Sequence, residues 1–157
     1  LAGRVLRIED HQVIALAVAL SSIGLDLTAL TVFSGRIRAA GARPVLFMTW
    51  AYADRPDMTP RLDEAFTRLG AELDLEVVPV GLAFARALEE MPGLALHTAD
   101  KVHPSLAGTY LAAAVFYAAL YDRSPENLDY DAGLPADSAR RLRAIAWSSV
   151  LDYRNRR

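Results

Sequence analysis

Residues 27–49 read LTALTVFSGRIRAAGARPVLFMT, and this stretch decides the fold. In its first half, apolar residues recur at helical spacing, at Leu27, Leu30, Phe33 (or Val32) and Ile37. Gly41 then marks the C-terminus of a helix, and Pro44 follows it. Residues 45–49 form a mostly apolar run, which is typical of a strand buried on both faces of a parallel sheet. The stretch therefore predicts a helix followed by a buried parallel strand.

The same alternation of helical and strand patterns continues on both sides of this stretch. Downstream, the patterns predict a second buried strand at 76–80 and helices at 60–73 (with Thr59 as N-cap), 82–90, 103–121 and 135–153. The last helix would pack through Leu142, Ile145, Trp147 and Leu151. Upstream, residues 4–8 predict a short strand, whereas the apolar run 13–20 fits either a helix or a buried strand. Such alternation favours an α/β fold with an open, mostly parallel sheet.

Length and composition limit the classes of function. The 157 residues fit one domain, in which residues 125–157 form a connector and a C-terminal helix. The net charge of −2 excludes a chain-wide nucleic-acid-binding surface, and the absence of Cys excludes thiol nucleophiles and Cys-ligated zinc. The run 13–20 is too short to span a bilayer, which needs about 20 apolar residues. These observations leave the cellular compartment open.

A carboxylate and an imidazole stand together before the helix predicted at 103–121. Asp100 precedes His103 by three residues, in a loop downstream of the last predicted strand. In a turn, the carboxylate can accept the Nδ1–H of the imidazole, which leaves Nε2 free to act as a general base. The alternative is that Asp100 only caps the helix. Because ligands gather at the carboxyl ends of parallel strands, the pair is a candidate active site.

The residues around this pair resemble a known family. Residues 100–112, DKVHPSLAGTYLA, resemble the last signature block of the SGNH (GDSL-type) hydrolases, and residues 36–50 and 77–81 are similar to the helix and strands that precede it in bacterial members. The similarity covers roughly residues 28–125. It implies a flavodoxin-like three-layer α/β/α fold with a mostly parallel sheet. It also implies hydrolysis of a small ester or acyl substrate by a Ser-His-Asp triad, with His103 as base, Asp100 as orienting acid, and no metal or organic cofactor.

The chain departs from the family at the nucleophile and the oxyanion hole. It has no Gly-Asp-Ser block, no Gly-x-Ser-x-Gly elbow and no match for the family's oxyanion glycine. Where related proteins carry a side-chain amide, this chain has Glu9, with Gln12 nearby, and an ionised carboxylate cannot donate to an oxyanion. We therefore expect a sheet that is incomplete at the N-terminus and that self-associates through its exposed edge. The alternative function is a non-catalytic binding or interaction module with the same fold.

Other candidate residues each have a structural interpretation beside the functional one. Ser34, the only Ser followed by Gly, and Ser22 are candidate nucleophiles, but a helix position and a turn are the simpler explanations. Trp50 and Tyr52 follow the central predicted strand, so they would line the pocket or, for the Trp, cover the core. His97 is either a second base or a polar loop residue. The three His lack the spacing of metal ligands, so no metal site is predicted.

Overall fold

A computed structural model describes residues 27–156 and the backbone of residues 13–17. Three strands and five helices are present in this part of the chain. They are, in chain order, β1 (Val13–Ala17), α1 (Leu27–Ala39), β2 (Arg43–Phe47), α2 (Met58–Leu73), β3 (Glu76–Val78), α3 (Val80–Glu90), α4 (Leu106–Tyr121) and α5 (Ala136–Asn155). The prediction of an α/β fold is confirmed. The run 13–20, which the sequence left ambiguous, contains strand β1, and the strand predicted at 4–8 lies outside the described residues.

The three strands form one parallel sheet in the order β1-β2-β3. Val13 pairs with Arg43 and Ala17 with Phe47, while Leu46 on the other side of β2 pairs with Val77. The helices α1 and α2 connect successive parallel strands, as parallel pairing requires. The carboxyl ends of all three strands therefore lie at the same edge of the sheet.

Two hydrophobic clusters lie on opposite faces of β2 and β3, since successive residues of a strand point to opposite faces. Val45 and Val78 belong to the larger cluster, which contains side chains of α3, α4 and α5, among them Phe84, Leu111 and Leu142. Leu46 and Val77 belong to the smaller cluster, which contains the α2 residues Leu62, Phe66 and Leu69. The buried central strand that the run 45–49 predicted is thus present.

Several predicted boundaries are wrong by two or more residues. β2 covers Arg43–Phe47, and α2 begins at Met58 with Asp57 as N-cap rather than at Pro60 with Thr59 as N-cap. β3 ends at Val78 and Val80 already belongs to α3, because Pro79 cannot donate to the sheet and the chain turns there. The helix predicted from 103 begins only at Leu106, where Ser105 is the N-cap and accepts a hydrogen bond from the Gly108 amide.

Two helices bury only part of the predicted face. In α1, Ile37 is buried as expected, but Leu27 and Phe33 are exposed, because the stripe Leu30, Ser34 and Ile37 faces inward instead. In α5, Leu142 and Ile145 are buried and Trp147 is half-buried, whereas Leu151 is exposed. No helix within the described residues is both long enough and apolar enough to cross a membrane.

Candidate active site

Asp100 and His103 form a closed turn in the loop between α3 and α4. Asp100 Oδ1 accepts hydrogen bonds from the Val102 amide at 2.9 Å, the His103 amide at 3.0 Å and the Thr98 hydroxyl at 2.7 Å. Asp100 Oδ2 lies 2.5 Å from His103 Nδ1. Lys101, between the two, has a φ of 65°, the left-handed conformation that lets the chain fold back so tightly. The two oxygens of one carboxylate therefore serve separate purposes: one closes the turn and the other orients the imidazole.

The geometry assigns the tautomer of His103. A carboxylate only accepts hydrogen bonds, so Nδ1 carries the proton and the neutral ring has its lone pair on Nε2. The His103 side chain is 75% exposed, and within residues 27–156 its Nε2 makes no hydrogen bond. An imidazole held in this way can take a proton from a group that approaches it from solvent.

The carboxylate of Asp100 is kept ionised by its donors. The Thr98 hydroxyl, the His103 ring and the amides of His103 and Val102, in that order of effect, hold the pKa of Asp100 well below its usual range. Because Asp100 is ionised at neutral pH, it is an acceptor for Nδ1–H and a counter-charge for an imidazolium.

Backbone contacts fix the turn against its own loop. The Thr98 amide donates to the His103 carbonyl at 2.9 Å, and the Lys101 amide donates to the Thr98 carbonyl at 3.0 Å. At the base of the loop, the Ser105 amide donates to the Leu96 carbonyl at 2.8 Å, and the backbones of His97 and Pro104 form an isolated antiparallel β-bridge. The turn is thus positioned by the start of α4.

The loop after β2 also holds the turn. Trp50 Nε1 donates to the Val102 carbonyl at 2.9 Å, and the Ala53 amide donates to the Lys101 carbonyl at 2.9 Å. The indole of Trp50 stacks on Phe84 of α3, with 4.7 Å between ring centroids and 12° between planes. Trp50 therefore connects the core to the turn, and it is not among the residues that line the cavity beside it.

Tyr52 and His97 occupy different places beside the turn. Tyr52 is partly exposed and lines a cavity of about 390 Å³ between the loop after β2 and α3. His97 is half-buried; its Nε2 donates to the Ala51 carbonyl at 3.0 Å, and its ring meets Phe84 edge-on. The hydrogen bond of His97 Nε2 fits the interpretation as a polar loop residue better than that as a second base.

The candidate nucleophiles and oxyanion residues are not brought to the turn by the described part of the chain. Ser34 is 2% exposed on α1, and its hydroxyl donates to the Thr31 carbonyl at 3.0 Å, an ordinary bond within a helix. Ser22, Gln12 and Glu9 lie outside the described residues. Across residues 27–156, no group of three or more His, Asp or Glu side chains is placed to hold a metal ion.

Two residues that build the site were missed at the level of sequence. Thr98 donates to Asp100, and its spacing, Thr-x-Asp, is a weak local signal for a side chain that closes a turn. Gly81 lets the start of α3 approach the end of β2, because a Cβ there would overlap the Thr49 carbonyl oxygen. A Gly directly after a strand run is the signal for such a close approach.

Comparisons with known proteins extend this description at the level of the fold. No family model matches the chain, and no curated protein matches it. A solved structure, a DUF4886 family protein from Bacteroides uniformis, superposes with a TM-score of 0.76 at 21% identity over 92% of this chain. The chain spans 64% of the length of that protein. At this level of identity the likeness establishes a shared fold.

Proposed function

We propose that the chain carries the base and the orienting acid of an ester or acyl hydrolase of the SGNH type. The observation that carries the proposal is the 2.5 Å contact of Asp100 Oδ2 with His103 Nδ1, which leaves Nε2 unpaired in the described residues and open to solvent. The position of the turn, held by the loop that follows β2, agrees with the rule that sites form at the carboxyl ends of parallel strands.

In the proposed mechanism, His103 Nε2 removes the proton of a serine hydroxyl as the oxygen attacks the substrate carbonyl. The imidazolium that forms is stabilised by the Asp100 carboxylate. His103 then returns the proton to the leaving alkoxide, and it activates water in the same way for hydrolysis of the acyl-serine. Within residues 27–156 no serine hydroxyl is hydrogen-bonded to His103 Nε2, so covalent labelling has to identify the nucleophile.

The proposal extends to the architecture. Helices pack on both faces of β2 and β3, with α2 in one cluster and α3, α4 and α5 in the other, which supports a flavodoxin-like three-layer arrangement. A single domain of this kind would place the turn of Asp100 at the edge where ligands bind.

We also propose that the chain self-associates. Within the described residues, β1 and β3 each pair only with β2, so each has one edge without a strand partner. Val32 and Phe33 of α1 are exposed apolar side chains. Unpaired strand edges and apolar patches favour association with a second chain. Light scattering on the purified chain would reveal a dimer or larger species, and a monodisperse monomer at all concentrations would contradict this.

The test of the hydrolase proposal combines turnover with covalent labelling. We expect the chain to hydrolyse p-nitrophenyl acetate and to be labelled at one serine by a fluorophosphonate, with the position given by mass spectrometry. His103→Ala should abolish both signals, whereas His97→Gln, a matched control, should retain them.

The alternative is a non-catalytic binding or interaction module. It is favoured by the lack, within residues 27–156, of a serine hydroxyl hydrogen-bonded to His103 Nε2. Absence of both turnover and label from the folded wild-type chain would support this alternative and overturn the hydrolase proposal.

A further inference from the structure

A cavity of about 390 Å³ lies beside the candidate site, between the loop after β2, the start of α2 and one side of α3. Its apolar lining includes Tyr52, Pro56, Pro60, Phe84, Ala85 and Leu88. Its volume falls within the range of about 300–1,000 Å³ that is typical of small-molecule pockets. The cavity is therefore large enough for a chain of several carbon atoms.

The chemistry of the lining selects against anions. The polar side chains among the lining residues include Thr59 and the carboxylate of Glu89, and no Lys or Arg is among them. A carboxylate ligand would meet the charge of Glu89 without a cation to offset it. The lining thus favours a neutral, apolar occupant over a free fatty acid.

The cavity and the turn share a boundary. Ala53 lines the cavity, and its amide donates to the carbonyl of Lys101, inside the Asp100–His103 turn. Phe84 forms another part of the cavity wall and stacks on Trp50, whose indole donates to Val102 next to His103. The same loop thus borders both the cavity and the proposed base.

We infer that this cavity receives the apolar acyl chain of a neutral ester whose carbonyl lies beside the turn that holds His103. The inference rests on the proposed function and adds the substrate class to it. Each methylene that leaves water on entering the cavity strengthens binding about fourfold. Affinity should therefore rise with chain length until the cavity is filled and then remain level.

The test uses linear methyl ketones, from 2-butanone to 2-nonanone, which resemble neutral esters but are not hydrolysed. Binding is followed by the amide chemical shifts of Ala53, Gly81 and Ala85 in the full chain. We expect these amides to shift, with an affinity that increases about fourfold per methylene over the shorter ketones.

Ala85→Leu adds a larger side chain on the cavity side of α3. It should weaken the binding of the longer ketones about fourfold for each methylene that it keeps out of the cavity. Ala113→Leu, on the exposed side of α4, is the matched control and should change nothing. Leu88→Ala is a second variant, which removes part of the lining and should also weaken binding. Circular dichroism checks that each variant is folded.

Shifts confined to other parts of the chain, or affinities that do not depend on chain length, would overturn the inference. Because ketone binding requires no turnover, this result is independent of the nucleophile. If the His103→Ala variant hydrolysed the ester as fast as the wild-type chain, the proposed function would be overturned, but the ketone data would still stand. The two failures are therefore distinguishable.

Discussion

The indole nitrogen of Trp50 donates a 2.9 Å hydrogen bond to the carbonyl of Val102, 52 residues further along the chain. The ring that makes this bond is stacked on Phe84 and also contacts Phe47 at the end of β2. Through one side chain, the packed end of the central strand is therefore connected to the exposed turn that holds His103.

Trp50→Phe keeps an aromatic ring beside Phe84 but removes the donor to Val102. We expect the free energy of unfolding to fall by about 1 kcal/mol, which is the usual net value of one hydrogen bond, in addition to the effect of the smaller ring. Urea unfolding measures the change. Trp147→Phe, at a half-buried indole that makes no hydrogen bond within residues 27–156, is the control, and an equal loss in both variants would contradict the role of the bond.

The pKa of Asp100 should depend on the hydrogen-bond donors around its carboxylate. Its pKa lies well below its usual range, mainly because of the Thr98 hydroxyl and then the His103 ring. Thr98→Val should raise the pKa of Asp100 toward the ordinary value of about 3.9, whereas Thr98→Ser should preserve the depression. Carboxyl chemical shifts followed against pH measure both. An unchanged midpoint in the Val variant would show that the hydroxyl does not act on Asp100.

The lowered pKa of Asp100 also makes the free energy of unfolding depend on pH. At pH values between the pKa of Asp100 in the folded chain and its pKa in the unfolded chain, the unfolded chain binds the extra proton. The stabilisation by Asp100 is therefore complete above about pH 4–5 and is lost as the pH falls further. Asp100→Asn should therefore flatten the acid side of the stability profile. An unaltered slope in this variant would assign the acid sensitivity to other carboxylates.

Asp100→Asn should also change the tautomer of His103. The amide oxygen can still accept from Thr98 and the two backbone amides, but the amide nitrogen would donate to Nδ1, which moves the ring proton to Nε2. A base with its proton already on Nε2 cannot act, and the loss of turnover should be about 10⁴-fold, as in serine protease triads. Nitrogen chemical shifts of the ring check the tautomer directly, and Asp54→Asn serves as a control with retained turnover.

Gly81→Ala should be strongly destabilising, because its Cβ would overlap the carbonyl oxygen of Thr49, which is backbone and cannot move aside cheaply. We expect a loss of about 1–3 kcal/mol in thermal or urea unfolding. Gly35→Ala, on the exposed side of α1 with no atom within 4 Å of the added Cβ, should instead stabilise the helix by about 0.5–1 kcal/mol. Equal effects at the two positions would mean that the approach of α3 to β2 is not tight.

The sequence predicts the helices, strands and side-chain pairs that depend on neighbouring residues, and it misses features that depend on contacts between residues far apart in the chain. Residues 27–49 predict α1 and β2 because helical spacing, a Gly and an apolar run follow each other directly. The strand predicted at 76–80 is too long because Val80 is apolar and fits a strand as well as a helix. The chain turns at Pro79, and the Gly81 amide donates to the Met48 carbonyl, a contact that leaves no local signal. The spacing of Asp100 and His103 predicts their pairing, whereas the bond from Trp50 leaves no local signal.

Because Oδ1 of Asp100 closes the turn and only Oδ2 contacts His103, a free imidazole could take the place of the His103 ring without opening the turn. In a His103→Gly variant, Oδ1 would keep its three donors and hold the loop closed, since two of them are backbone amides and the third is Thr98. Oδ2 would then face a vacancy open to solvent, where free imidazole from the buffer can dock. If added imidazole restores turnover to this variant in a saturable way, the turn itself binds and orients an imidazole, whether or not the ring is attached to the chain.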